Sequence, residues 1–455
     1  MNHHCLACIV LAAGSGTRMK SSHPKVLSMF DEKPILEAII EKAESLTPSQ
    51  IIVVVSPQYE DAIRNAFGNR IHIAIQKEPL GTGDAFLAGI EQLDPSIKDI
   101  LVLCGDTPLI QMQTLQGLVQ LYTKESPKAA VITAHVVDPK MYGRILRNSS
   151  GEFQKILEWK DASLQERAIT EINSGIYILS RETTQDYLHS INNKNVSGEF
   201  YLTDLLESIQ KNSKSVSIFP IQGEEDIIGI NTKADWAQAL HIANQRRLHS
   251  MMVDGGVYIV DPSSTHIGPN VSIGRDTLIK PNTWMEGSIE IGEDCEIGPF
   301  VSIRGNRGKV IVESHCTIGP FTSLRENCII RHGAKAGTFV EMKNCELKSH
   351  SKANHLSYLG DAVVGERSNI GAGTITCNYD GFDKHKTIIE EDVFIGSDTI
   401  IVAPVTIEQG AFTGAGSVIT QNIPPNSLAI ERNKQVNKED WASKYRKSKM
   451  KRRSS

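Results

Sequence analysis

Cysteine is too sparse in this chain to hold a fold together. Eight cysteines among 455 residues exclude a disulfide framework and fit a reduced, cytoplasmic setting. No apolar run approaches the roughly 18 residues that a membrane helix needs. The stretch Cys5–Ala13 is about as long as a signal-peptide core, but no Lys or Arg precedes it, so a cleaved leader is not expected. An excess of one charge is missing too. With 48 basic against 53 acidic residues the net charge is −5, too mild to predict a nucleic-acid coat or a membrane patch. Cys5 and Cys8 form a C-x-x-C behind His3 and His4, yet no second cysteine pair at ligand spacing exists. The pair therefore reads as the start of a buried strand, continued by Ile9-Val-Leu, rather than as a metal or redox site. What remains is an ordinary soluble composition, 40% hydrophobic and 22% charged, in a chain long enough for two or more domains.

The two halves have different periods. In the first, Ile9–Ala12, Ile51–Ser56, Ile71–Gln76 and Ile100–Cys104 read as strands, with helices over Pro34–Ser45, Gln58–Phe67 and Gly83–Leu93. Unbroken aliphatic strands alternating with helices indicate a mostly parallel sheet covered on both faces. Ligands of such folds bind beyond the carboxyl ends of the strands, which points to Ala13–Arg18 and Gly105–Leu109. In the second half, Ile267, Ile273, Ile279, Met285, Ile291, Ile297 and Ile303 stand six apart, a run expected by chance on the order of once in a few thousand. After a break at Arg304–Lys309 the register resumes at Ile318, Leu324, Ile330, Ala336 and Met342, and again at Ile389, Ile395, Ile401, Ile407 and Ile419. Gly follows many of these aliphatics, and Gly and Asn suit corners because they tolerate positive φ. A period of six resembles the triangular coil of a left-handed parallel β-helix. Asp235–Ser250, without Gly or Pro, reads as a linker helix. Lys444–Arg453, with seven basic residues, reads as a frayed solvated tail.

The chemistry of the first half begins at Leu11-Ala12-Ala13-Gly14-Ser-Gly16-Thr-Arg18-Met19. Glycines directly after a strand let backbone N–H groups close on phosphate oxygens. A dinucleotide fingerprint needs a third Gly where Met19 stands, and a P-loop needs the missing Gly-Lys-Ser/Thr. Arg18 and Lys25 add two fixed cations suited to a triphosphate and its transition state. Taken singly, Asp106, Glu158, Asn173 and Asn231 are ordinary turn or surface residues. Taken in order, G-x-G-T-R-x6-K, Gln76 with Gly81-Thr82-Gly-Asp, Cys104-Gly105-Asp106-Thr-Pro, Tyr142-Gly143-Arg144, Leu157-Glu158-Trp, Ile172-Asn173-Ser-Gly and Gly229-Ile-Asn231-Thr resemble the sugar-1-phosphate nucleotidyltransferases. The resemblance implies that Leu11, Ala12, Ala13, Gly14, Gln76, Gly81, Thr82, Cys104 and Gly105 receive UTP. It implies that Gly143, Glu158 and Asn173 receive the sugar, and that Asp106 and Asn231 hold Mg²⁺, a cation that prefers hard oxygens.

In the second half the stretch from Arg325 to Tyr379 leaves the clean repeat and fills with polar residues. Phe339-Val-Glu341-Met-Lys343, Lys352-Ala-Asn-His355-Leu-Ser-Tyr358-Leu-Gly-Asp361 and Asn369-Ile-Gly-Ala372-Gly-Thr-Ile-Thr-Cys-Asn378-Tyr379 resemble the acetyltransferase half of the bifunctional N-acetylglucosamine-1-phosphate uridyltransferase/glucosamine-1-phosphate acetyltransferase family. That resemblance runs over nearly the whole chain. It implies His355 as general base, with Glu341 a candidate to orient its imidazole. It implies Arg325, Lys343, Tyr358 and Asn369 around glucosamine-1-phosphate, and Ala372, Asn378, Tyr379, Ser397, Ala415 and Arg432 around acetyl-CoA. Glu326-Asn327 replace the family's Pro-Gly after Arg325, and a carboxylate there is expected to weaken phosphate affinity.

The fold expected is thus an α/β, Rossmann-like uridyltransferase domain over residues 1–233, a linker helix over 234–254 and a left-handed β-helix acetyltransferase domain over 255–455. The function expected is synthesis of UDP-N-acetylglucosamine for the bacterial cell envelope, by a homotrimer without nucleic-acid or membrane partners. A second reading keeps the nucleotidyltransferase and makes the prism an oligomerising or effector-binding module. A third, a nucleotide-sensing assembly protein, has to explain why Arg18, Lys25 and Asp106 are all present.

Overall fold

The computed structural model describes residues 5–453 apart from Ser15 and Ser22. The expectation that placed His3 and His4 beside Cys5 and Cys8 lies partly outside those residues. All eight cysteines are free thiols. The chain divides into two compact units, Met1–Asn244 and Gln245–Ser455.

The first unit is built on a seven-strand path, in spatial order Val216–Gln222, Ala129–His135, Glu171–Ser180, Asp99–Cys104, Leu6–Leu11, Gln50–Val55 and His72–Ile75. All run parallel except Glu171–Ser180, which is antiparallel to both neighbours. Along Leu6–Leu11, Cys8 and Val10 enter one apolar core while Ala7 and Ile9 enter another. Because side chains alternate across a strand, a strand aliphatic at every position must be covered on both sides. Helices Ile35–Ser45, Glu60–Phe67, Thr82–Ile90, Met112–Glu125 and Thr203–Ser213 accompany the sheet. A short hairpin, Arg144–Arg147 with Phe153–Leu157, extends it from Glu171–Ser180. Cys8 is buried in the sheet, its thiol pushed up to about 12 by loss of solvent, so it behaves as a core residue.

The second unit is a left-handed parallel β-helix. Its regular coils advance by 18 residues, as in Leu278 beside Glu296 and Trp284 beside Ser302, while others are shorter or longer, as in Met342 beside Leu359 and Ile370 beside Ile395. One aliphatic per face points inward: Ile267, Ile279, Met285, Ile297, Ile303, Ile318, Leu324, Ile330, Ala336 and Met342 are fully buried. The break at Arg304–Lys309 is a local bulge. Gly287 pairs with Gly305, but Ile289 pairs with Val310, so extra residues loop out and the coil continues.

Two expectations need correction. The glycines that follow the aliphatics do not chiefly serve positive φ. A Cβ on Gly274 would sit 2.6 Å from the carbonyl carbon of Gly292, and one on Gly396 2.6 Å from the nitrogen of Ala415, so they are required by coil-on-coil contact. Gly and Asn do hold many left-handed corner positions, among them Asn282, Asn327, Asn344, Gly333, Gly373 and Gly416, but they share them with Asp294, His315, His350 and Arg367 along one edge and Phe300, Phe321, Phe339 and Leu356 along another. The tail is helical rather than frayed, over Trp441–Arg453, and exposed through Met450. It lacks Gly and Pro and is rich in Lys and Arg, both good helix formers. Helix Lys233–Val253 spans the junction of the two units. None of the described helices is long and apolar enough to cross a membrane.

Candidate active sites

At the carboxyl ends of the parallel strands, Gly105 N–H donates to the Leu11 carbonyl at 2.9 Å, tying the two strand exits together. A Cβ on Gly105 would come within 3.0 Å of Ala12 Cβ and 3.1 Å of the Leu11 oxygen. Lys25 enters from the following loop. Gly16 makes room for it: its φ is +61°, and a Cβ there would lie 2.9 Å from Lys25 Cβ. Lys25 Nζ lies 2.6 Å from Asp106 Oδ2 and 3.2 Å from Asn231 Oδ1, while Arg18 Nη2 donates to Asn231 Oδ1 at 3.0 Å. Asn231 reaches this point because Ile230 N–H bonds the Asp106 carbonyl at 2.8 Å. Just beyond it, Asp235 accepts from the Asn231 and Thr232 N–H groups at the start of helix Lys233–Val253. Thus Asp106 and Asn231, 125 positions apart, aim oxygens at one cation.

Leu11, Ala12, Ala13, Gly14, Lys25, Gln76, Gly81, Thr82, Cys104 and Asp106 line one cavity of about 350 Å³. Gln76 Nε2 is held by Asp84 Oδ2 at 2.9 Å and the Gly81 carbonyl at 3.0 Å. Gly81 has φ +117° and packs so tightly on Phe200 that a Cβ would lie 2.5 Å from its carbonyl oxygen. Gly143, Glu158 and Asn173 meet in a neighbouring cluster, where a Cβ on Gly143 would be 3.5 Å from Asn173 Cβ and 3.6 Å from Glu158 Oε2. Asn173 Nδ2 donates to Tyr177 Oη at 2.7 Å. Burial holds the Glu158 carboxyl above its ordinary range, against the pull of the Thr203 hydroxyl. Cys104, whose Sγ lies 3.4 Å from the Gly175 carbonyl, links the cavity to this cluster; burial pushes its thiol up to about 12. Ala85, which ends the Gly81-Thr82-Gly-Asp-Ala motif, lines the cavity too, as do Val26, Pro79 and Glu199, which no motif had marked.

In the β-helix, Arg325 and Lys343 follow the paired residues Leu324 and Met342, and Lys343 pairs with Gly360. Glu341 pairs with Tyr358, so Arg325, Glu341, Lys343 and Tyr358 share one outward face. Gly360 is the floor of this cluster: a Cβ there would lie 2.6 Å from Tyr358 Oη and 2.8 Å from Asn378 Nδ2. Asn378 is fixed by Asp361 Oδ2. His355 stands at the edge of the face. Above it, Gly373 N–H bonds the Leu356 carbonyl, Asp398 N–H that of Ala372, and Gly416 N–H that of Ser397. His355, Ala372, Ser397 and Ala415, each preceding a corner residue, therefore form one column. Arg432 Nη1 closes it at the Ala415 carbonyl, 2.7 Å away. Two residues depart from expectation, Asn369 by its place and Glu341 by its partner. Asn369 lies on the adjoining face, between Lys352 and Phe394. Tyr379 is exposed, and its hydroxyl bonds the Gly381 carbonyl at 2.6 Å. Glu341 does not hold the imidazole: its Oε1 accepts from Arg325 Nη1 at 3.0 Å, because the register places it directly beside that guanidinium.

Comparison with known proteins gives two domain matches, the MobA-like NTP transferase domain over residues 8–172 and the bacterial transferase hexapeptide over residues 386–421. The chain is 43% identical to the Bifunctional protein GlmU of Syntrophomonas wolfei, over 94% of this chain and 97% of that protein. It is also 43% identical to that of Thermodesulfovibrio yellowstonii, over 96% and 99% respectively. The counterpart from Halalkalibacterium halodurans is 38% identical over 96% and 98%. The chain belongs to the GlmU family. It is therefore a bifunctional transferase, with a nucleotidyltransferase half and a hexapeptide acyltransferase half, as the motifs of both halves implied. Within this GlmU chain, sequence reading had not found Tyr177 as the brace of Asn173 or Asp361 as the brace of Asn378. Asp361 was within reach, since it ends the quoted Tyr-Leu-Gly-Asp segment; Tyr177 carries no such signal.

Proposed function

We propose that the two clusters work in series: the β-helix acetylates glucosamine-1-phosphate from acetyl-CoA, and the first unit joins the product to UTP, releasing pyrophosphate and forming UDP-N-acetylglucosamine. One observation carries this reading. Residues from separate nucleotide-handling motifs line a single cavity that includes Asp106 and Lys25, and Lys25 bonds Asn231 Oδ1 as well. Phosphate chemistry needs mostly positioning and charge neutralisation, and Arg18 and Lys25 provide two cations there. An anionic oxygen of the sugar phosphate attacks the α-phosphorus, the bond to pyrophosphate breaks, and no protein base is required.

The oxygens fit Mg²⁺. Asp106 Oδ2 and Asn231 Oδ1 already converge on the Lys25 ammonium, and a two-ligand hard-oxygen site leaves positions for phosphates and water. Bound there, Mg²⁺ would neutralise phosphate charge. Lys25 would keep its ammonium turned toward the phosphates.

For acetyl transfer, the exposed His355 takes a proton from the glucosamine 2-ammonium, and the freed amine attacks the thioester carbonyl. The CoA sulfur leaves with the second proton of the attacking nitrogen, as the thiol, and backbone N–H groups at the coil corners can meet the oxyanion. The column from His355 to Ala415 supports this reading. At about 4.8 Å per coil it offers an extended edge about 14 Å long for the donor's arm. Arg325 and Lys343 match the phosphate. Asn369 would complete the acceptor site from a neighbouring prism. A ridge of stacked rings, Phe300 on Phe321 at 4.9 Å and Phe321 on Phe339 at 5.0 Å, lies about half exposed beside His355. Such a ridge suits burial against further copies, so a cytoplasmic homotrimer is proposed.

The test is a coupled assay with purified chain, both donors and both sugar phosphates. His355→Ala should abolish acetyl-CoA consumption and spare pyrophosphate release. Loss of both activities in a folded variant overturns the two-site scheme, and a monomer with full acetyl transfer overturns the trimer.

A further inference from the structure

The two cations assigned to the acetyl acceptor are already engaged by carboxylates. Lys343 Nζ lies 3.1 Å from Glu326 Oε1, and Arg325 Nε lies 3.8 Å from Glu326 Oε2. Arg325 also holds Glu341 at 3.0 Å. Two cations thus meet two anions, and the cluster presents no net positive charge to an incoming phosphate. Glu326 is not there by chance of a floppy loop. Its carbonyl accepts from Asn344 N–H at 3.0 Å, and Asn327, next in the chain, takes the left-handed corner at φ 58°. An amide ladder pins that corner, Asn327 to Asn344 at 2.9 Å and Asn344 to Asp361 at 3.0 Å. The Glu326 side chain is only 15% exposed. Its own backbone N–H, with Lys343 and Arg325, holds the carboxyl below the ordinary carboxylate range despite burial.

We infer that Glu326 is a built-in competitor for the acceptor's phosphate: its carboxylate occupies the Lys343–Arg325 pair and must swing off before a sugar phosphate can bind. The backbone is locked by the ladder, but the side chain turns on its own torsions, so displacement needs no change of fold. A phosphate dianion carries more charge than the carboxylate it replaces and accepts several hydrogen bonds at once. An unphosphorylated amino sugar has nothing with which to displace Glu326. Glu326 thus raises the KM of the phosphorylated acceptor, whose phosphate has to displace it before binding. This rests on the reading of Arg325 and Lys343 as the phosphate grip.

The experiment measures acetyl transfer by Glu326→Gln, with inorganic phosphate as competitive inhibitor. The expected result is a KM for glucosamine-1-phosphate lower by about five- to thirty-fold, the size of removing one close like charge. The inhibition constant of inorganic phosphate should fall in parallel, with kcat within about two-fold. Undiminished uridyl transfer reports that the chain is intact, and Glu326→Ala repeats the measurement if the amide variant folds poorly. A KM and phosphate inhibition that stay unchanged or rise, while Lys343→Gln still raises KM, overturn the inference alone. If Lys343→Gln leaves KM unchanged, the phosphate-grip reading itself falls.

Discussion

At the residue scale, the first site depends on one ammonium and two oxygens from distant parts of the chain. Asp106→Ala leaves Lys25 without its 2.6 Å partner and removes one of the two oxygens proposed to hold Mg²⁺. Pyrophosphate release from UTP should fall by about a hundred-fold or more, the size seen when one charge-stabilising group is lost, with acetyl transfer retained. Assaying both reactions on one preparation checks this. Glu158 makes a prediction of a different kind. Burial raises its carboxyl above the ordinary 4.5, so the folded chain binds that proton more tightly than the unfolded one. The sign follows: stability contributed by Glu158 is lost as pH rises from about 4.5 through the folded value. Glu158→Gln should therefore gain thermal stability relative to the parent at pH 8 and gain none at pH 4, read as melting temperature across that range.

At the element scale, what matters is which strands and corners set side chains side by side. In the β-helix the inward residue of each face is fully buried in a narrow core, and each coil contacts only its neighbours. Ile318→Ala, at a position with no solvent exposure, should cost about 2–5 kcal/mol, the range for deleting a buried aliphatic, measured by denaturant unfolding. The helices and strands of the first unit as far as Cys104 were legible because their apolar runs and amphipathic stretches differ in period, whereas those from Met112 onward, the antiparallel Glu171–Ser180 among them, were not read. The boundaries differ from the structure by only a few residues, as in Ile9–Ala12 expected against Leu6–Leu11 found. The corners were not legible. A six-residue repeat marks where a turn falls, but not that the Gly beside it is demanded by the coil above. Nor does it show that Phe, His and Arg join Gly, Asn and Asp at positive φ. Those positions cost energy for L-residues, and a local pattern contains no term for the stacking that offsets it.

At the scale of the whole molecule, the two activities should separate cleanly. Chelation with EDTA is expected to stop uridyl transfer and be reversed by Mg²⁺, since the hard-oxygen pair belongs only to the first site, while acetyl transfer continues. Measuring both activities before and after metal is restored tests this, and acetyl transfer that also stops with EDTA would count against separate chemistries. Light scattering of the intact chain gives the second measurement, with three times the monomer mass expected.

Sequence by itself determined the division into an α/β half and a hexapeptide half, the family, and most residues lining the cavity beyond the parallel strands. It could do so because periodicity and ordered motifs are local properties written along the chain. Tertiary structure alone decided who pairs with whom. Glu341 went to Arg325 rather than to His355, Glu326 went to Lys343, and Asn369 went to the adjoining face. Coil register sets those neighbours, and register depends on a bulge and on coils of unequal length that no repeat count along the chain reveals.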